Sequence, residues 1–499
     1  MYITDAQMIS QRLAMEGKFS QSDVIKHIIA DDLANKGKQY MRVGTRYYSG
    51  EHDILEHDFT EVTIYDENGV GRVHHNKNNS NEHVVHNFFA HHVDQKTAYI
   101  LGRPLSVSVE GANDDPVRME LQGEITAITT DERFADMLNR WVTQASCKGS
   151  EWVHVYYTKS GELRYTVAPA EGIIPFYDTD NQAELVELIR YWDMQVVQGK
   201  KQTTRKRVEW WTKDLVTVYD EDERGNYIRS NDYTPNPRPH WLLTTKTDGR
   251  VIKRAPMRFA AIPFVRLDNN DLCASDLQPI KSLQDAYNQL SSASTNNQID
   301  LVELYWSVSG YGAETAGAIA KKLQLNHAVS VTDPNGKIDA KQVVLQTSER
   351  IAWMDMLRRD IYHIGRAFDE SPERVGNATT VALKMQYTGL DLKADQLILK
   401  LKLALKELFS FFVDEINRKK GTAYDASWIR VDVNKSMLHN DGETIENLEK
   451  STRLPSSIYY AKHPYVDDPD QAAKEFAAEQ QEAEKRRADM YRDDDITEE

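Results

Sequence analysis

The feature that most limits how this chain can fold lies in its C-terminal third. Leu383, Tyr387, Leu390, Leu397, Leu401, Leu408, Phe412 and Ile416 recur at three-, four- and seven-residue steps, the period of a single helix face. The pattern predicts a helix of about 40 residues, roughly 60 Å long at 1.5 Å per residue, against three to four turns in ordinary globular domains. A helix of that reach suits an assembly better than a compact enzyme. Its most apolar part, LILKLKLALKELFSFFV at 397–413, is interrupted by three lysines and one glutamate. It therefore reads as amphipathic and not as a membrane span, and no other stretch approaches the apolar length a span needs.

Directly before this helix stands SPERVGNATTVALK at 371–384, a loop of small, mildly polar residues between two helical patterns. It holds no metal-ligand set, and Ser371, followed by Pro372, reads as a turn or cap and not as a nucleophile. Its composition suits a segment that moves and touches something lightly.

The rest of the chain predicts an α+β protein. Ser20 caps a helix over 20–33 with Val24, Ile25, Ile28, Ile29 and Leu33 on one face,. Asn68-Gly69 between β-branched runs predicts a hairpin over 59–75. A helix is expected over 81–101, stopped by Gly102 and Pro104. Residues 151–267 read as strands rich in valine and aromatics, in which Tyr156, Tyr157, Trp210 and Trp211 are expected in the core. Leu277, Ile280, Leu283, Tyr287 and Leu290 begin a helix that runs into SSASTNNQ at 291–298, a small polar run expected either to pack on identical neighbours or to face water. Residues 301–345 read as strand, short helix, strand. A second helix over 348–368 shows one apolar stripe of Ile351, Met354, Leu357, Ile361, Ile364 and Phe368. Short amphipathic helices are expected over 1–20, in place of a targeting segment, and a polar helix followed by an acidic end closes the chain.

Charge and chemistry exclude more than they include. The formal net charge of −16 argues against tight, sequence-independent nucleic-acid binding, which needs lysine and arginine to displace counterions. Two cysteines in 499 residues form no disulfide framework. There is no phosphate-binding glycine loop, dinucleotide fingerprint, zinc-protease motif or nucleophile elbow, so no catalytic, cofactor-binding or metal residue is assigned. The nearest candidate is the histidine group His83, His86, His91 and His92, with His74 and His75 upstream. Neighbours such as His91 and His92 point about 100° apart on a helix, so these side chains are expected at solvent or an interface. Asp114-Asp115 and Asp467-Asp468 are the adjacent pairs that an acid-rich chain carries by chance.

The order of parts is that of a known family. GTRYYSGEHDI (44–54), HVDQKTAYILGRP (92–104), NPRPH (236–240), FDESPERVGNATTVALK (368–384) and GLDLKAD (389–395), with helix, insert, helix, loop and long helix in sequence, resemble the portal proteins of tailed bacteriophages, of the type found in long-tailed phages of Gram-positive hosts. The resemblance implies a ring of twelve subunits at one capsid vertex of the virion, assembled in the host cytoplasm, with no enzymatic activity, no cofactor and no membrane. Double-stranded DNA would pass through it during packaging and ejection. The partners implied are the large terminase, the head-completion (adaptor) protein, and the major capsid and scaffolding proteins. The parts implied are a wing over 1–270, stem helices over 271–299 and 346–368, and a clip over 300–345. A tunnel loop over 369–384, the long helix over 385–420, and a crown with acidic tail over 421–499 complete them. Glu373, Arg374, Gly376, Asn377, Thr379 and Thr380 would face the DNA, with Arg374 expected to pair with Glu373 or Asp369. Arg358, Arg359, His363 and Arg366 on the second stem helix are further candidates to line the channel. Tyr305, Trp306, Tyr311, Lys321 and Lys322 in the clip would dock partner proteins, although Trp306 also suits ordinary core packing. Two other classes stand beside this reading: a metal-dependent phage enzyme built on His83, His86 and His91, and a capsid shell or scaffolding component.

Overall fold

The computed structural model describes residues 4–5, 20–65, 71–76, 79–112, 115–158, 160–181, 184–198, 201–247, 250–300, 304–309, 337–342, 347–370 and 380–435, and in the C-terminal part 448, 450–451, 458–460, 463, 466 and 472–480. Two compact units divide the chain: Met1–Arg374 with Gln386–Lys435, and Val375–Met385 with Ser436–Glu499. In the smaller unit Tyr460 meets Tyr459 and Phe476 with ring centroids 5.4 and 6.1 Å apart.

In the larger unit, local sequence sets most elements. Where helix was expected at the N-terminus, β1 (Thr4–Asp5) pairs in parallel with a later strand at Phe176 and Tyr177, because an open strand edge offers backbone partners that an isolated turn of helix lacks. α1 (Gln21–Ala34) starts at Ser20 with a reciprocal capping box to Asp23,. Asn35 caps α2 (Lys36–Tyr48). β2 (Glu61–Tyr65) and β3 (Gly71–His75) form the predicted hairpin, with Glu61 opposite His75. Its Asn68-Gly69 turn lies outside the described residues. α3 (Phe88–Leu101), β4 (Ser106–Val109), α4 (Pro116–Thr129) and α5 (Glu132–Lys148) follow.

β5 (Ser150–Tyr157), β6 (Leu163–Ala168), β7 (Ile173–Tyr177), β8 (Leu185–Gln198), β9 (Lys201–Trp211), β10 (Leu215–Glu221), β11 (Tyr227–Arg229), β12 (Arg238–Pro239), β13 (Trp241–Thr247), β14 (Arg250–Met257) and β15 (Phe264–Asp268) realise the strand-rich region. The main sheet runs β1-β7-β8-β9-β10-β11 with β12 on β10, and a three-stranded sheet runs β15-β5-β6. The packing between these elements is apolar, as the aromatic content requires. One face of the main sheet holds Trp210 against Ile25, Ile29 and Phe176. The other holds Trp211 against Trp152 and Phe264.

α6 (Lys281–Ile299) is followed by β16 (Leu304–Ser309) and β17 (Lys337–Gln342), which pair antiparallel, with Trp306 opposite Ala340. The short helix expected between them lies outside the described residues. α7 (Thr347–Gly365), α8 (Thr380–Lys420) and β18 (Ile429–Asp432), which pairs with β4, complete the set. α8 is 41 residues long, and Leu390, Leu397, Leu401, Leu408, Phe412 and Ile416 are buried as the periodicity demands.

Two further sequence readings differ from the structure. Residues 81–87 are not helical. They run along α6, where Glu82, Val84 and His86 donate their backbone N–H groups to Asn296, Ser292 and Asn288, at 2.7, 2.9 and 2.9 Å. Within the small polar run at 291–298, Ser292 and Asn296 are thus engaged inside the chain, while Asn297 and Gln298 are exposed. Asn288, Ser292 and Asn296 stand one helical turn apart along α6 and satisfy the backbone of residues 82–86. The helix expected over 348–368 ends at Gly365, and its stripe is only partly covered: Ile361 is fully buried, whereas Ile351 and Ile364 are about half exposed, at 55% and 46%.

Candidate functional site

Three of the motifs that carried the resemblance meet around Phe368, shortly before 371–379. Gln95 of α3 reads the backbone just before that loop like a strand partner. Its amide donates to the Phe368 carbonyl at 2.9 Å and accepts from the Phe368 N–H at 2.8 Å. Phe368 stacks on Tyr387 of α8, ring centroids 4.1 Å apart at 13°, so the chain before the loop is tied to the chain after it. Tyr99, one turn beyond Gln95, donates to Asp391 at 2.8 Å. Lys435 bridges Asp391 and Asp395 at 2.6 Å each.

Beneath these contacts lies a buried polar node. Lys393 of α8 donates to the Gly365 carbonyl at the end of α7, at 2.9 Å, and lies 3.2 Å from Asp276. Lys96 of α3 reaches the same carboxylate at 3.0 Å and donates to Asn269 at 2.5 Å, while Asn269 donates in turn to Asp276 at 2.9 Å. Burial alone would raise the Asp276 carboxyl, but Lys393 and Lys96 hold it well below the usual carboxylate range,. Burial lowers Lys96 to about 8 despite that partner. His92 completes the node. It is 1% exposed, and neither ring nitrogen has a hydrogen-bond partner among the described residues. Burial, and then repulsion from Lys393 and His91, push its pKa down to about 3, so it stays neutral. A Cβ on Gly365 would stand 2.7 Å from the His92 ring; only glycine lets α7 approach this closely.

A fourth motif, 44–54, secures the start of α6. Tyr47 is fully buried and donates to Asp285 at 2.6 Å. Lys281 spans Asp53 and Asp285 at 2.6 and 2.7 Å, and Arg46 also pairs with Asp53. Asn288 donates to the His52 ring at 2.8 Å. The fifth, 236–240, serves the main sheet: Asn236 donates to the Val218 and Ser230 carbonyls.

The expected loop residues Glu373, Arg374, Gly376, Asn377 and Thr379 lie outside the described residues, and Thr380 is the first residue of α8. Asp369, one of the two partners expected for Arg374, pairs with Arg358 at 2.9 Å. Tyr305 and Trp306 stand on β16, while Tyr311, Lys321 and Lys322 lie outside the described residues. The histidines do not gather. His83 meets the His57 carbonyl at 2.7 Å and His86 the Ser291 hydroxyl at 3.1 Å, and His92 is sealed in the node. Among the described residues the three groups that converge as metal ligands could are instead Asp58, Glu61 and His75, at the root of the β2–β3 hairpin. His75 Nδ1 lies 3.2 Å from the Asp58 carboxylate, and the hairpin register sets Glu61 opposite His75. No helix of the described residues is long and apolar enough to cross a membrane.

Comparison with known proteins gives the arrangement its context. The family model described as phage portal protein, SPP1 Gp6-like, matches residues 25–486. The portal protein of Bacillus phage SPP1 is 27% identical over 435 residues, covering 86% of this chain and 81% of that one. The portal protein of Clostridium phage phiCD119 is 26% identical over 475 residues, covering 91% and 95%. A solved structure titled as the neck of an empty GTA particle aligns with 75% of this chain and 88% of that chain at 12% identity, with a TM-score of 0.40.

Proposed function

Because the chain belongs to the SPP1 Gp6-like family of phage portal proteins, we propose that it closes into a ring of twelve subunits at one capsid vertex and that DNA enters and leaves through the ring. Membership makes it a structural component of the phage capsid and not an enzyme. The metal-dependent alternative on His83, His86 and His91 has no support, and a shell or scaffolding role gives way to the portal role.

In this reading residues 1–270 form the wing, α6 and α7 the stem, 300–345 the clip that meets the terminase and later the head-completion protein, and 421–499 the crown and tail. The loop at 369–384 narrows the channel. The observation that carries the channel reading is the convergence of the 92–104, 368–384 and 389–395 motifs on one node. Gln95 and Lys393 hold the backbone of Phe368 and Gly365, and Tyr387 stacks on the Phe368 ring, an arrangement that makes sense where the loop that follows must be presented at a set height to something that passes. A passing polyanion repeated against twelve subunits calls for weak contacts in the loop itself, since strong phosphate contacts multiplied twelvefold would stall it.

Closed rings arise from heterologous contacts whose rotation closes. Twelve copies of 57.3 kDa give a particle of roughly 690 kDa. Mass photometry and negative-stain images of the purified chain should show that mass and a central hole. A uniform 57 kDa monomer at micromolar concentration and moderate salt would sink the proposal.

A further inference from the structure

α7 ends on an arginine where a glycine would be at ease. Arg366 has φ of +52°, and the N–H groups of Arg366 and Ala367 donate back to the His363 and Tyr362 carbonyls. These are the bonds of a left-handed helix ending, whose turning residue is most often glycine because a Cβ strains that conformation. A residue held against its backbone preference directs attention to its side chain. Packing does not explain this one: Arg366 is exposed, and no described residue gives its guanidinium a hydrogen bond or ion pair. Arg358, by contrast, is engaged with Asp369 and lies over the Tyr362 ring.

Arg366 is the last of a row. Arg359 and His363 stand at i and i+4 on one face of α7, Arg366 follows directly after its last residue, and all three are exposed. Asp355 precedes the row by one turn, and Asp360 lies 3.9 Å from Arg359. In a chain of net charge −16, a basic row leading to the 371–379 loop is out of keeping with the overall balance.

We infer that Arg359, His363 and Arg366 contact the sugar–phosphate backbone of duplex DNA, and that Arg366 keeps its left-handed backbone because its guanidinium is needed there. The inference rests on the channel reading above. A guanidinium offers a planar fork matched to phosphate oxygens. Exposed and singly placed on each subunit, it attracts a phosphate without holding it, which meets the demand that DNA should slide.

The test uses full-length rings and labelled duplex DNA, with binding measured by anisotropy over a salt series. The parent is compared with R366G, R366K and, as a charge-loss control on β18, R430Q. R366G should form rings that melt no lower than the parent, because glycine suits the position, yet bind duplex roughly tenfold more weakly at low salt with a shallower dependence of log K on log salt. R366K should keep most of the binding, and R430Q all of it. R366G rings with the parent's affinity and salt slope would overturn the row. So would R366G rings that dissociate or melt earlier, since the side chain would then be structural. A parent ring that captures no duplex at low salt overturns the channel reading and the row together.

Discussion

Replacing His92 with phenylalanine should remove a large part of the protein's sensitivity to acid. The imidazole is held at a pKa of about 3 in the fold against 6.5 as the reference for the unfolded chain. Between those values the unfolded state binds a proton that the folded state refuses. Stability is therefore complete above about pH 6.5 and falls as the pH drops toward the folded value. Each pH unit in that window is worth about 1.4 kcal/mol, so two units of acidification cost roughly 2.7 kcal/mol through this residue and the whole window about 5 kcal/mol. Asp276 acts in the same direction, because its carboxyl is held below its usual range; the difference between parent and variant isolates the histidine. Phenylalanine adds volume beside Gly365, where a Cβ would already stand 2.7 Å from the ring, so the variant should also show a pH-independent loss of about 1–3 kcal/mol from overpacking. Urea midpoints at matched subunit concentration, from about pH 7.5 down to about pH 4.5, separate the two effects. Parent and variant curves should converge as the pH falls. Parallel curves would mean that His92 accepts its proton in the folded protein, and the account of a neutral His92 in the node would fail.

The other predictions probe the node and the segments it supports. Gly365→Ala should destabilise by about 1–3 kcal/mol, and a shorter residue at position 92 should restore part of the loss in a double-mutant cycle; simple additivity would refute the contact. Lys393→Met removes one of two cations from buried Asp276 and the cap from the Gly365 carbonyl. A loss of about 3 kcal/mol should be accompanied by faster hydrogen exchange at the Phe368 amide, and unchanged exchange would uncouple the node from the loop base. Gly376→Pro should leave ring formation and capsid incorporation near normal while packaged DNA falls sharply, whereas Asn377→Lys should slow packaging in a salt-dependent way; parental packaging by both would remove the loop from the DNA path. Deleting residues 309–325 should spare rings and abolish terminase or head-completion binding, and normal packaging would reject the docking role.

What could be read from the sequence was set by local physics. The 41-residue helix, the Ser20 cap and the β2–β3 hairpin follow from periodicity, capping and turn residues that act within a few positions. Residues 81–87 escaped because their structure is decided elsewhere: no local pattern announces that Asn288, Ser292 and Asn296 will satisfy their backbone. Ile351 and Ile364 have helical spacing, but spacing alone does not say which side of a stripe the rest of the chain covers. At the site, Lys96, Asp276 and Lys393 are of residue types that usually stay at the surface, so nothing local marks them as buried partners. Their union depends on segments separated by more than a hundred residues, and neither charge nor period encodes that pairing. The two motifs holding Gln95 and Lys393 were visible as marks of a family, without the contact that explains them.

A polar foundation under the loop does something that an apolar one would not. Hydrophobic burial is non-directional, so a helix seated on leucines alone could slide by a turn, about 5.4 Å, at modest cost. Here a slide of α8 would break the Tyr99–Asp391 bond, the Lys435 bridges and the Lys393 bond to the Gly365 carbonyl together. The buried Asp276 would then lose one of its two cations, the most costly way to disturb such a group. The node thus trades some stability for a fixed register of α8 against α3 and α7. The Gln95 bonds to Phe368 and the Lys393 bond to Gly365 thus fix the end of α7 and the residues just after it against α3 and α8.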